Sequence, residues 1–385
     1  MSIEKKDIEE LIRLRMAQRG VGGRDIKFFL EAWRNLENSD EQLAWQDVQP
    51  AAADDVGQLP AVGSEAERRL LRVGLENMAR CAIVKLNGGR STTMGGKVPK
   101  CTLPAKDGKS FLEIVLGQVM SVNDSLGIEM PLILMNSFFT GQKSSEIVGR
   151  TPLIIMDFIQ NEYPRTRVDN LHPLETGSEE DWCPGGHGDF FASLYGSGLL
   201  ADLLELGFRY VFISNIDNLS AEVSPLILGN MVAGNHDFVM EVTRKTDADL
   251  KGGSPVIYRD NLTMLEIAQV PDSYLGEFQD IDRFSYFNTN NLWVDLRALD
   301  TLLVNNELRL PVIQNRKRIC DTEVIQIETA MGAALQCFAR PALLEVPRSR
   351  FAPVKRMEDL HFLQSEAFVL NEEFQVRRNP DWSSP

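Results

Sequence analysis

Cysteine is sparse and scattered. Cys81, Cys101, Cys183, Cys320 and Cys337 are the only five in 385 residues, with no Cys-x-x-Cys pair among them. Their odd number and spacing suggest neither a disulfide framework nor a structural zinc site, and they fit a reducing cytoplasm. Long apolar runs are missing, so no span of a bilayer and no membrane partner are expected. The first residues, Met1-Ser2-Ile3-Glu4-Lys5-Lys6-Asp7, lack the apolar core of a signal peptide, which argues against export. Positive charge is also short. Forty Lys and Arg face 55 Asp and Glu, for a net charge of −15. A general nucleic-acid binder needs a basic surface to displace counterions, so nucleic acid is not an expected partner. Two familiar glycine motifs are absent as well. Gly108-Lys109-Ser110 resembles the end of a P-loop, but Leu103 stands where that motif needs glycine. Gly-x-Gly-x-x-Gly fails because Arg90 and Ser91 follow the pair Gly88-Gly89. No Ser-His-Asp or paired-carboxylate arrangement, internal repeat or low-complexity segment stands out.

What is present is an ordinary globular composition, 43% hydrophobic and 25% charged, on a chain long enough for one large α/β domain and an appendage. Residues 1–80 read as a helical N-terminal extension. Ile8, Leu11 and Ile12 have helical spacing, as do Phe28, Phe29, Ala32 and Trp33. Residues 49–63 read as a connecting loop, and Ser64 with Glu67 as a capping box opening a further helix. From residue 81 to 360 the pattern becomes strand, helix, strand. Strands are expected at Ala82–Leu86, Pro131–Met135, Leu153–Phe158 and Tyr210–Ile213, and helices at Phe111–Leu126 and Asp189–Leu206. Buried strands alternating with helices imply a mainly parallel sheet covered on both faces. Residues 361–385 read as a short C-terminal tail, polar and charged from Asn371 on.

The most informative stretch is Ala82–Lys100, an apolar strand running into Asn87-Gly88-Gly89 and then a loop with Lys97 and Lys100. Glycines let bare backbone N–H groups approach an anion, and the lysines add mobile positive charge. At the carboxyl end of a parallel strand this makes a phosphate cradle, although a glycine pair also serves as a plain tight turn. An acidic chain must collect its cations deliberately to bind an anion. His187, in Gly185-Gly186-His187-Gly188-Asp189, precedes a helix start; taken alone it reads as a surface histidine. Asp217 follows the strand Tyr210–Ile213, where it can hold Mg²⁺ or close an Asx turn. Asn288, Asn290 and Asn291 with Thr289 offer hydrogen bonds for sugar hydroxyls. Arg348 and Arg350, between Pro347 and Pro353, and Lys355 just beyond read as an anion site or a solvated basic loop.

Taken in order, these motifs resemble one family. Lys85-Leu86-Asn87-Gly88-Gly89, Pro99-Lys100, Pro131–Ser137, Gly186–Asp189 and Ser214–Leu219 lead the series. Lys251-Gly252-Gly253, Leu265–Pro271, Asn288–Trp293, Glu328–Ala334 and Val346–Lys355 complete it. Together they are similar to the eukaryotic-type UDP-glucose pyrophosphorylases, over roughly residues 28 to 360. The resemblance implies a glycosyltransferase-A-like nucleotidyltransferase domain making UDP-glucose and pyrophosphate from UTP and glucose 1-phosphate with Mg²⁺. It further implies that Leu86, Asn87, Gly88, Gly89, Gln160 and Gly186 contact the nucleotide. His187, Asn215 and Asn290 would meet the sugar phosphate, Asp217 the metal, and Lys100 and Lys355 the reacting phosphates.

Two departures accompany the resemblance. Family members usually continue the loop as Gly-Gly-Leu-Gly-Thr, where this chain has Gly88-Gly89-Arg90-Ser91-Thr92. They also usually continue into a C-terminal β-helix used in assembly, an element expected to be largely absent here, so a monomer or small homo-oligomer is expected. The alternatives are a uridylyltransferase for another sugar 1-phosphate, galactose or N-acetylglucosamine, or a UTP-binding regulator that has lost turnover.

Overall fold

The computed structural model describes residues 3–36, 43–89, 98–149, 151–319 and 321–382. At its centre lies an eight-stranded sheet of β1 (Val56–Gln58), β2 (Cys81–Asn87), β3 (Leu132–Asn136), β4 (Ile155–Ile159), β5 (Tyr210–Asn215), β6 (Phe238–Arg244), β7 (Tyr286–Asp295) and β8 (Pro341–Glu345). Their spatial order is β1-β8-β6-β7-β5-β2-β3-β4. β7 runs antiparallel to β5 and β6, and every other neighbouring pair is parallel. The sheet is therefore mixed and mainly parallel, in an α/β fold with N-terminal helices.

The helices used below are α1 (Ile3–Gln18), α2 (Gly23–Arg34), α3 (Glu65–Asn77), α4 (Phe111–Leu126), α5 (Asp189–Gly196), α6 (Leu199–Glu205), α7 (Pro225–Ala233) and α8 (Met357–Gln364). Alternation along β2 feeds two cores, because successive strand side chains point to opposite faces. Cys81 and Ile83 pack with α4 and α7. Ala82 and Val84 pack with α5 and α6. Local chemistry sets the helix ends. Ser110 Oγ accepts the Glu113 N–H at 3.3 Å while the Glu113 carboxylate accepts the Ser110 N–H at 2.7 Å, a capping box that starts α4. Gly127, at φ +63°, ends it.

Three expectations differ from what is found. The single helix expected over 189–206 is two, because Gly198 turns the chain at φ +82°. The expected loop over 49–63 contains β1, whose Val56, Gly57 and Gln58 pair with Leu343, Leu344 and Glu345 of β8. Three residues carry no periodicity to read, and the partner strand defines this one. The stretch from Asn371 is not merely polar: its Val376 is buried in the core shared with α4, with Ala367 and Phe368 just ahead of it.

Contacts also cross the divisions drawn from sequence at residues 80 and 360. α3 lies so close to α7 that a Cβ on Gly74 would sit 1.7 Å from the Pro225 carbonyl oxygen. α1 and α2 bury Ile8, Ile12, Phe29 and Trp33 against Tyr163, Trp182 and Ile325. No helix among the described residues is long and apolar enough to cross a membrane.

Candidate functional site

Parallel strands deliver their carboxyl ends to one edge of the sheet, the usual place for a ligand in an α/β fold. Here β2, β3, β4 and β5 do so, and a cleft of about 300 Å³ opens there. Leu86, Gly88 and Gly89 reach it from β2, Gln160 from the end of β4, and Asn215 and Asp217 from the end of β5. Gly186 and His187 enter from the loop ahead of α5, and Lys100 and Lys355 close the remaining side. The cleft thus gathers ten of the twelve expected residues, all but Asn87 and Asn290. Met135, Pro184 and Ile216 also line it, and sequence reading did not single them out. Met135 ends an expected strand, so its position at the strand's carboxyl edge was the available signal.

Close backbone approach explains the glycines. A Cβ on Gly88 would lie 2.3 Å from Gln160 Nε2, so only glycine lets that amide lie over the β2 turn. Gly186 stands at φ +81°, and a Cβ there would meet the Thr329 carbonyl oxygen at 2.5 Å. The Lys100 N–H donates to the Gly89 carbonyl at 3.2 Å, which brings both sides of the phosphate-loop segment to the cleft. Residues 90–97 lie outside the described residues, and with them the Arg90-Ser91 departure and Lys97.

Charge converges on Asp217. Lys100 Nζ lies 2.8 Å from its Oδ2 and Lys355 Nζ 3.5 Å from the same oxygen. Burial works against the charge of this carboxyl, and Lys355 and Lys100 overcome that cost, holding it below the usual carboxylate range. Its second oxygen, Oδ1, is buried without a hydrogen-bond partner. Among the described residues no group of three or more His, Cys, Asp or Glu side chains is placed to hold a metal ion.

His187 is held neutral. Burial, and then the Lys355 charge, push its pKa down to about 4. Its Nδ1 accepts the Met331 N–H at 3.1 Å, so the proton of the neutral ring sits on Nε2. Asp189, two residues on, binds the neighbouring wall to this one. Its Oδ2 accepts the Asn161 N–H at 2.7 Å, and its Oδ1 the Asn161 side-chain amide at 2.9 Å. The turn carrying Gln160 and the loop carrying His187 are thereby tied together.

Two expected contacts look different in three dimensions. Asn87 is fully buried, and its amide donates to Asn136 Oδ1 and Ser144 Oγ, each at 2.7 Å. Its side chain braces β2 against β3 and does not line the cleft. Asn290, at φ +62°, also stands behind the lining, where its Nδ2 donates to Asn215 Oδ1 at 3.2 Å. The three-cation anion site does not form. Arg348 pairs with Asp249 and Arg350 with Glu241, and of that segment only Lys355 lines the cleft. Sequence reading gave no site role to Glu266, whose pKa burial raises and whose Oε2 would lie 2.9 Å from a Cβ on Gly253.

Comparisons with known proteins agree with one another. The family model described as UTP--glucose-1-phosphate uridylyltransferase matches residues 26–384. A UTP--glucose-1-phosphate uridylyltransferase of Musa acuminata is 39% identical over 355 residues, 89% of this chain and 74% of its own length. The protein of that name from Solanum tuberosum is 37% identical over 398 residues, covering 100% of this chain and 82% of the relative. Among solved structures, a UDP-glucose phosphorylase from Trypanosoma brucei superposes with a TM-score of 0.87 at 31% identity, over 97% of this chain and 82% of that one. A variant of UDP-glucose pyrophosphorylase from Leishmania major, in complex with UDP-glucose, gives a TM-score of 0.85 at 32% identity, with coverages of 97% and 82%.

Proposed function

Because the chain belongs to the UTP--glucose-1-phosphate uridylyltransferase family, we propose that it makes UDP-glucose and pyrophosphate from UTP and glucose 1-phosphate. A sugar-phosphate oxygen attacks the α-phosphorus of UTP in line, and pyrophosphate leaves. The nucleophile is already an anion, so no general base is required. The protein must hold two anions together and offset the charge that grows on the α-phosphate and the leaving group. The observation that carries the reading is the convergence of Lys100, Lys355 and Asp217 beside Gly88 and Gly89 in one cleft.

In this reading Leu86, Gly88, Gly89 and Gly186 form the nucleotide bed, and Gln160 reads the uracil edge. Lys100 meets the UTP phosphates, and Lys355 the charge developing at phosphorus. His187, a neutral donor through Nε2, meets an oxygen of the sugar phosphate. Asn215, oriented by Asn290, meets sugar hydroxyls, and Asn87 acts from behind by fixing the end of β2. Mg²⁺ suits Asp217: one carboxylate oxygen has no protein partner, and this ion takes one or two carboxylates with phosphate oxygens and water. When bound, Mg²⁺ would supply positive charge to the phosphate oxygens.

The proposal includes a cytoplasmic setting, supported by four described cysteines that are free thiols. It also includes a monomer or small homo-oligomer with small-molecule substrates and neither nucleic acid nor membrane as partner. Ile8 and Ile12 of α1, and Ala367, Phe368 and Val376 of the tail, are packed inside the same chain, which supports that state. Pyrophosphate release from UTP with a panel of sugar 1-phosphates tests the function. Glucose 1-phosphate is expected to be turned over fastest. Preference for galactose or N-acetylglucosamine 1-phosphate would reassign the sugar, and no release with any of them would leave a UTP-binding regulator.

A further inference from the structure

Arg350, just ahead of Lys355 in the chain, forms a buried ion pair with Glu241 of β6. Arg350 Nε donates to Glu241 Oε2 at 2.9 Å and its Nη2 to Oε1 at 2.7 Å, while Nη2 also reaches the Glu222 carbonyl at 2.9 Å. Glu241 is fully buried. The same carboxylate accepts Trp293 Nε1 at 2.9 Å and Asn291 Nδ2 at 3.1 Å, both from β7, the strand of Asn290. From Arg350 onward the chain has no regular ladder to hold it, and Asn218 takes over. Its Nδ2 donates to the Arg350 carbonyl and its Oδ1 accepts the Ala352 N–H, both at 3.1 Å. The Val354 N–H then donates to the Asp217 carbonyl at 3.1 Å, and Lys355 follows.

We propose that Glu241, Arg350 and Asn218 are positioning residues that set where Lys355 stands, without touching substrate. The proposal rests on the uridylyl-transfer reading above. A bare stability role is the weaker account, since a buried ion pair generally stabilises no more than well-packed apolar residues of the same volume. What a bidentate pair supplies is fixed direction. A lysine that must meet charge at one phosphorus loses effect when displaced by about 1 Å, at a cost of up to roughly 100-fold in rate.

The test measures kcat and KM per folded enzyme for Arg350→Met and Asn218→Ala, each alone and in a Lys355→Ala background. Asn218→Ala leaves the ion pair intact and serves where Arg350→Met fails to fold. The expected result is a fall in kcat of about 10-fold or more, with KM for both substrates changed by less than about 3-fold. Arg350→Lys, which keeps the charge but not the fork, is expected to remain impaired. In the Lys355→Ala background the same substitutions are expected to cost almost nothing further, because the group they position is gone. Unchanged kcat in the single variants, or an equal loss in both backgrounds, overturns the inference alone. Absence of turnover by the unaltered protein removes it together with the reading on which it rests.

Discussion

Asp217→Asn keeps the shape of the side chain and removes its charge, so it separates chemistry from folding. Two lysines would lose their shared counter-charge, and the free oxygen would become a poorer metal ligand. The expected outcome is loss of most turnover, about 100-fold or more, with an unchanged circular dichroism spectrum. Turnover is likewise expected to stop in excess chelator. Full activity in either case would contradict the role given to this residue. Lys355→Ala and Lys100→Ala are expected to lower kcat more than they raise KM for UTP, because a cation that meets developing charge favours the transition state. A change in KM alone, in both variants, would reduce them to binding cations. That Gly88, Gly89, Asp217 and Lys355 meet in one cleft was foreshadowed by the order of their motifs, although each motif alone also had a plain structural reading. The partners of Asn87, Arg348 and Arg350 were not. Sequence shows that an arginine is present, but only the fold shows that a buried carboxylate already holds it.

α2 carries a buried carboxyl, Asp25, in its first turn. Asp25 is buried, and burial first, then the Asp189 charge, push its pKa up to about 6. In the unfolded chain the group returns to the ordinary range near 4. The folded state therefore binds the extra proton between those values, and its stability falls as pH rises through about 6. Asp25→Asn is expected to stabilise the protein at pH 7.5 by on the order of 1–3 kcal/mol, and to do little near pH 4. Urea unfolding at the two pH values measures this, and an equal effect at both would contradict it. Elements with a strong period or a clear cap were readable, and α4 spans the residues its pattern marks. β6, β7 and β8 were not, because their pairing joins segments far apart in the chain. Asn288–Trp293 read as an amide cluster, yet those residues belong to the antiparallel β7, fixed by its neighbours β5 and β6.

At the scale of the whole molecule, the question is which apolar surface remains for assembly. Ile8 and Ile12 are buried against the chain's own Tyr163 and Ile325, and Phe368 and Val376 against the core beside α4. Light scattering at micromolar concentration is therefore expected to give a mass of one or two chains, and a stable species of four or more would refute this. Composition alone left the fold class open; the alternation of buried strands and helices narrowed it to a mainly parallel sheet. The order of the strands needed long-range pairing that no local pattern records.

The central claim is that an oxygen of glucose 1-phosphate attacks the α-phosphorus of UTP. Glucose 1-phosphate labelled with ¹⁸O in its phosphate oxygens tests it directly. Turnover with UTP and Mg²⁺ should place the label in the diphosphate of UDP-glucose, including the new bridge, and leave the released pyrophosphate unlabelled. Label in the pyrophosphate, or its absence from UDP-glucose, would mean that another phosphorus is attacked and would contradict the account.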